Sequence, residues 1–285
     1  MQTRTTRALV GLWGILVILW GHPWGIAGAA QGRVALVVGN SAYVQSGDLK
    51  NPVHDANAVS RAFDELGFQV IQGRDLTKAA MTTRLQEFYQ ALDGAKVAVF
   101  FYAGHGLQLN NKNFLVPVDF DPRVAEYLGN QLIVLDTILQ EMTRRTLVNV
   151  VFLDACRDNP FTDALSARMT KGRSVAIDQH RGIQTVGTGL AEVKGSVGTL
   201  IAYATQPGNV AMDGEGDNSP FTLGLLQHLE TPGLEVRELL MKVRGSVVEK
   251  TNGVQIPWDH SSLMERLYFK KKRFRALPHP QTGNN

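Results

Sequence analysis

The 285-residue sequence predicts an α/β fold built on a mostly parallel sheet with helices on both faces. Three observations carry this expectation. Short valine-rich apolar runs recur along the chain, and a run that is apolar throughout fits a strand buried on both sides. Between these runs, apolar residues repeat at helical spacing. The alternation of strand and helix is the order that gives a parallel sheet between two helical layers. With 44% of residues hydrophobic and 19% charged, the composition suits a globular domain with a full core and argues against disorder. A net charge of +3 is too small to point to nucleic acid.

The chain opens on a segment that reads as a leader. MQTRTTR supplies arginines, ALVGLWGILVILW (8–20) is uncharged and apolar, and the small residues Ala27, Gly28 and Ala29 follow. This is the order of a secretory signal, so residues 1–30 are expected to be removed near Ala29 or Ala30 and the protein to be secreted or periplasmic. The alternative is an uncleaved membrane anchor, which requires the span to continue through Gly21, His22 and Pro23.

RVALVVGN (33–40) reads as the first strand. Ala56, Val59, Ala62, Phe63 and Leu66 mark one face of a helix that stops at Gly67. FQVI (68–71) is a second strand, and Thr77 caps a helix whose face is Met81, Leu85, Phe88 and Leu92. KVAVFFYAGHG (96–106) reads as a strand running into a glycine-flanked turn. NFLVPVD (113–119) reads as a hairpin or edge segment, because Pro117 has no N–H for a ladder. Asp136 is placed to cap a helix carrying Ile138, Leu139 and Met142, and LVNVVFL (147–153) is a fourth long strand. Residues 161–196 are polar and lack sustained periodicity, the mark of a functional or flexible segment. TLIAYA (199–204) is a fifth strand, and Ser219-Pro220 is a cap followed by proline at the first helical position. Val236, Leu239, Leu240, Val243 and Val247 share a further helical face. KKKRFR (270–275) opens a basic tail that reaches residue 285 and reads mainly as solvated, with contact to an anionic surface as the lesser alternative.

Cys156 is the only cysteine. In an exported protein an odd cysteine suggests a reactive thiol or an intermolecular link, whereas the bland reading is a small buried hydrophobe. Ligands bind beyond the carboxyl ends of parallel strands. FFYAGHG and VVFLDAC both run off strand ends, so adjacent strands would bring His105 and Cys156 to one rim. A thiol attacks as its thiolate, and a histidine within reach takes the proton and later returns one to a leaving amine. Gly104 and Gly106 flank His105 and are expected to form a tight turn that exposes the imidazole. The N–H groups of Gly106 and Cys156 are the candidates for an oxyanion hole. The bland reading of His105 is a silent loop histidine.

YAGHG followed by FLDACRDNPF resembles the caspase-like cysteine peptidases, and most of all the bacterial branch akin to metacaspases (orthocaspases). The separation of His105 from Cys156 fits the caspase pattern, in which the histidine lies about 50 residues upstream. RVALVVGNSAY, LKNPVHDANAV and IAYATQPGNVAMDGEGDNSPFT resemble further parts of the same family. The resemblance implies a three-layer α/β/α sandwich on a six-stranded sheet and a cysteine endopeptidase with a His105–Cys156 dyad. It divides the chain into a p20-like catalytic region at 31–161, a linker at 162–196, a p10-like region at 197–269 that completes the substrate pocket, and the tail at 270–285.

The sequence departs from animal caspases, which require aspartate at P1, the substrate residue before the cut bond. Asp154 stands two residues before Cys156, where caspases carry glutamine. Asp213 falls where a caspase has its P1-binding arginine, and Asp55 matches an acidic P1 position of metacaspases. Acids in place of basic groups reverse the pocket's charge and imply cleavage after Arg or Lys, since a substrate cation relieves the cost of a buried, unpaired carboxylate. Asp55 has the bland reading of a helix cap, and Asp213 that of a surface loop. Ala103 replaces a serine common in metacaspases. Arg168, Lys171, Arg173, Arg181 and Lys194 offer sites for self-cleavage in the linker. No cofactor is required by the sequence; calcium serves many metacaspases, but no oxygen-ligand set such as an EF-hand loop is evident here. The expected partner is a protein or peptide substrate with a basic P1 residue, with no nucleic acid, and with membrane contact only through an uncleaved leader. The sequence carries no signal for oligomeric state. The competing functions are a catalytically silent scaffold of the same fold and a ligase or transpeptidase variant.

Overall fold

The computed structural model describes residues 32–123, 128–156, 196–206, 209 and 211–272, and within 157–195 it describes 161, 164–165, 176–178, 181–182, 185–187 and 190–191. The leader, the tail beyond 272 and the linker positions Arg168, Lys171, Arg173 and Lys194 lie outside the described residues. Among the described residues, no helix is long and apolar enough to cross a membrane.

The main sheet runs β2 (Gln69–Arg74), β1 (Arg33–Gly39), β3 (Val97–Leu109), β6 (Val148–Cys156), β10 (Thr199–Tyr203) and β11 (Trp258–Ser261). Neighbours are parallel except β11, which is antiparallel to β10 at the edge. Each central strand sends alternate residues to opposite faces, as the pleat requires. Ala35, Val37, Val99, Phe101, Val150 and Phe152 face one apolar layer, and Leu36, Val38, Phe100, Tyr102, Val151 and Leu153 the other. On the first face pack α1 (Pro52–Glu65), α4 (Pro220–Leu229) and α5 (Val236–Lys250); on the second pack α2 (Lys78–Ala91) and α3 (Leu135–Arg145). Val236, Leu239, Leu240, Val243 and Val247 of α5 are all buried, as their spacing predicts.

Two predicted caps stand, because their side chains accept from the first turn: Thr77 from the Ala80 amide and Ser219 from the Thr222 amide. Two do not. Asn51 precedes α1 and Val134 precedes α3, neither with a side-chain cap bond, and Asp55 and Asp136 lie inside the first turns. For Asp55 the reason is a tertiary demand on its carboxylate, described below.

Further differences from the sequence expectation concern where strands end. β3 does not turn at Gly104–Gly106 but continues to Leu109 and reverses at Asn110 and Asn111, both at positive φ, into the antiparallel β4 (Lys112–Leu115). Asparagine tolerates that conformation better than most residues. β4 in turn pairs with β5 (Ile133–Val134). The segment predicted as irregular carries short strands, β7 (Ala176–Asp178), β8 (Arg181–Gly182) and β9 (Val186–Gly187); β9 pairs antiparallel with Gln108 and Leu109 of β3. The edge strand β11 has no periodicity that marks it in advance.

Candidate active site

The carboxyl ends of β1, β3, β6 and β10 form one rim. Along β3 and β6 the register pairs Ala103 with Asp154, Gly104 with Ala155, and His105 with Cys156. Parallel neighbours lie about 4.8 Å apart, so the backbone brings His105 and Cys156 together as adjacent residues on adjacent strands. The expectation that the two share a rim is met by the topology.

The imidazole, however, is not exposed. His105 retains 3% of its accessible surface. The Tyr43 ring lies 4.4 Å from it, centroid to centroid, and the Phe161 ring meets it edge-on at 5.7 Å. Its backbone is fixed on both sides: the amide donates to the Tyr43 hydroxyl at 2.8 Å, and the carbonyl accepts from the Tyr102 hydroxyl at 2.8 Å and the Val116 amide at 3.1 Å. The polar backbone is thereby satisfied although it is buried. The ring's Nδ1 is buried without a hydrogen-bond partner among the described residues. Burial pushes the imidazole from 6.5 down to about 4, so it is neutral at ordinary pH. Gly104 makes this packing possible. Its φ is +146°, and a Cβ there would approach the Tyr43 hydroxyl to 2.6 Å. The glycine before His105 therefore serves close approach of two tyrosines and not a turn.

Gly106 follows in β3 in register with Leu115. Leu190 from the linker packs against it, so close that a Cβ at 106 would meet Leu190 at 2.8 Å. The linker is tied down on both sides of that contact. Asn110 and Thr185 exchange bonds at 3.0 and 3.1 Å, and Asn113 and Ala191 at 2.7 and 2.6 Å. Leu190 also borders a narrow cleft with Ala155, Tyr203 and Thr205.

The three predicted acids converge from distant parts of the chain. Asp55 on α1 is 1% exposed, and Asp154 on β6 is 6% exposed. Asp55 accepts from Asn218 Nδ2 at 2.8 Å and from the Ser219 amide at 3.0 Å. Asp154 Oδ2 accepts from the hydroxyls of Ser219 and of Thr222, the latter at 3.0 Å. Ser219 thus serves both acids while capping α4. The other oxygen of each carboxyl has no protein partner among the described residues. Burial raises both acids above the usual carboxylate range, with the Asp154 charge adding to the effect on Asp55 and the Asp213 charge adding to both. Asp213 is half-buried in its loop, where its carboxylate accepts from the amides of Lys50 and Asn51 at 2.8 and 3.3 Å. Its side chain ties that loop to the start of α1.

Tyr43, Tyr102, Thr222 and Asn218 were not singled out from the sequence. Only Ser219 carried a signal, and that signal spoke of a helix cap. Among the described residues no three His, Cys, Asp or Glu side chains gather closely enough to hold a metal ion.

A profile of the caspase domain matches residues 32–268. Over 138 residues, 48% of the chain, the sequence is 33% identical to the mucosa-associated lymphoid tissue lymphoma translocation protein 1 homolog of Mus musculus. The Homo sapiens protein of that name matches over the same length at the same identity. The matched region spans 16% of each of those relatives. The backbone resembles the Drosophila initiator caspase Dronc with a TM-score of 0.56 at 14% identity, covering 85% of this chain and 84% of that one.

Proposed function

Given that the chain belongs to the caspase-domain family, we propose that it is a cysteine endopeptidase that cuts after Arg or Lys using His105 and Cys156. The observation that carries the specificity is the pair Asp55 and Asp154: two buried acids bridged by Ser219, each with one oxygen that has no partner among the described residues. Such a pair is costly empty and is relieved by a guanidinium or ammonium, which accepts no hydrogen bond but offers several. An aspartate at P1 would bring a further carboxylate to a site that already disfavours ionising the two it holds.

In this mechanism the neutral imidazole of His105 takes the proton of the Cys156 thiol as sulfur attacks the scissile carbonyl. The tetrahedral oxyanion is held by the amides of Gly106 and Cys156. Collapse breaks the C–N bond, and the imidazolium gives its proton to the leaving amine. Water activated by the same imidazole then hydrolyses the thioester, releasing the acid and restoring the thiol. The depressed basicity of His105 favours proton transfer during attack over a standing thiolate–imidazolium pair.

The linker lies across β3 next to this site, with Leu190 against Gly106, which supports self-cleavage within 162–196 as the step that frees the cleft. The same proposal has the enzyme exported, with its leader removed near Ala29 or Ala30. Fluorogenic peptides that differ only in Arg, Lys or Asp at P1 test the specificity. Arg and Lys peptides are expected to be hydrolysed, and faster turnover of the Asp peptide rejects the assignment.

A further inference from the structure

At the end of the sheet opposite the rim, the amino ends of β1 and β3 and the chain following β11 line an open cleft of about 870 Å³. Six cations line it, Arg33, Lys96, Arg266, Lys270, Lys271 and Lys272, against one carboxylate, Glu65. Neighbouring acids account for two of the six: Glu230 pairs with Lys270 at 3.2 Å, and Glu235 and Glu238 act on Arg266. Arg33, Lys96, Lys271 and Lys272 have no carboxylate partner among the described residues.

Arg33 is the most telling of these. Its Nη1 donates to the carbonyls of Leu66 at 3.2 Å and Phe269 at 3.0 Å, and its guanidinium lies 4.1 Å over the Phe68 ring. These contacts fix the plane of the fork. Its Nη2 is buried and has no partner among the described residues. A cation withdrawn from water without a counter-ion is unfavourable, and burial accordingly lowers the pKa of this guanidinium. Such an arrangement is stable with an anion present and strained without one. The fork geometry of arginine suits phosphate oxygens, and lysines around it supply further point charges. The remaining walls, including Leu66, Val97, Pro232 and Phe269, are apolar. The volume is in the range of small-molecule sites, roughly 300–1,000 Å³. A concave site of this kind suits a compact soluble ligand better than a flat bilayer.

We propose that this cleft binds a small phosphorylated polyanion, with Arg33 at its base and Lys96, Lys271 and Lys272 around it. The site is independent of the peptidase assignment, since none of its residues reaches the rim. Calorimetric titration of the full-length protein with inorganic tripolyphosphate at physiological ionic strength tests it. Saturable binding and a higher melting temperature are expected. The double variant Lys96→Ala, Lys271→Ala removes two exposed side chains that the fold does not need. It should bind about tenfold or more weakly, while hydrolysing peptide like the wild type. Absence of saturable binding, or equal affinity in the double variant, overturns the proposal. So does binding to phosphatidylglycerol vesicles with no response to tripolyphosphate, which would assign the cations to a membrane surface.

Discussion

Asp154→Asn separates the charge of the specificity pocket from its shape. In the wild type Oδ2 accepts two hydroxyl bonds, from Ser219 and Thr222, and the second oxygen has no partner among the described residues. Asparagine keeps both hydroxyl bonds through its carbonyl and replaces the second oxygen with an NH2 donor. A substrate cation then loses one negative charge and meets a second donor. Removing one partner of a buried charge pair costs about 2–5 kcal/mol. Asp55 remains to hold the cation, so the lower part of that range applies. Hydrolysis of an Arg-terminated peptide should therefore fall by roughly 30- to 150-fold in kcat/KM, at about 1.4 kcal/mol per factor of ten. The contact exists in the ground state as well as the transition state, so most of the loss should appear in KM. The fold should not suffer, because the substitution removes a charge that burial and Asp213 already disfavour. A melting temperature at or above that of the wild type at pH 7.5 is the matching expectation. A change in kcat/KM of less than about threefold, with folding intact, would refute the reasoning.

Two further outcomes follow from the same site. Burial holds His105 at about 4, whereas an unfolded histidine titrates near 6.5. Between those values this imidazole binds a proton in the unfolded chain that it refuses in the folded one. Its own contribution to stability should therefore fall as pH drops from 6.5 toward 4, by roughly 3 kcal/mol at the foot of the window, while the raised carboxyls of Asp55 and Asp154 act in the opposite direction. Urea unfolding across that range should show the wild type losing stability relative to His105→Gln as pH falls; a difference that stays constant with pH would contradict the buried neutral imidazole. Intact mass of the protein incubated with and without a cysteine-directed inhibitor should show cleavage within 162–196 only in its absence. An unchanged mass while peptide is being hydrolysed would remove self-processing from the account.

The sheet was legible because its central strands are buried on both faces, and that burial writes continuous apolar runs into the sequence. Register was not, yet register is what pairs His105 with Cys156 and Ala103 with Asp154. The glycines around His105 were visible but their purpose was not. A turn and a close approach of tyrosine hydroxyls ask for the same residue, and only the packing of Tyr43 and Tyr102 distinguishes them. Asp55 and Asp136 both sit where a cap is chemically sensible. Asp55 instead answers to Asn218 and Ser219, more than 160 positions away, a demand that no local pattern records. Ser219 shows the converse. Its local role was read correctly, and its hydroxyl bond to Asp154 came in addition.

The account stands most directly on the sulfur of Cys156. The deciding measurement is hydrolysis of an Arg-terminated fluorogenic peptide by the wild-type protein and by Cys156→Ala, at equal concentration and with folding checked by circular dichroism. The account predicts turnover by the wild type and none above background for the variant. Equal rates in the two proteins would contradict it.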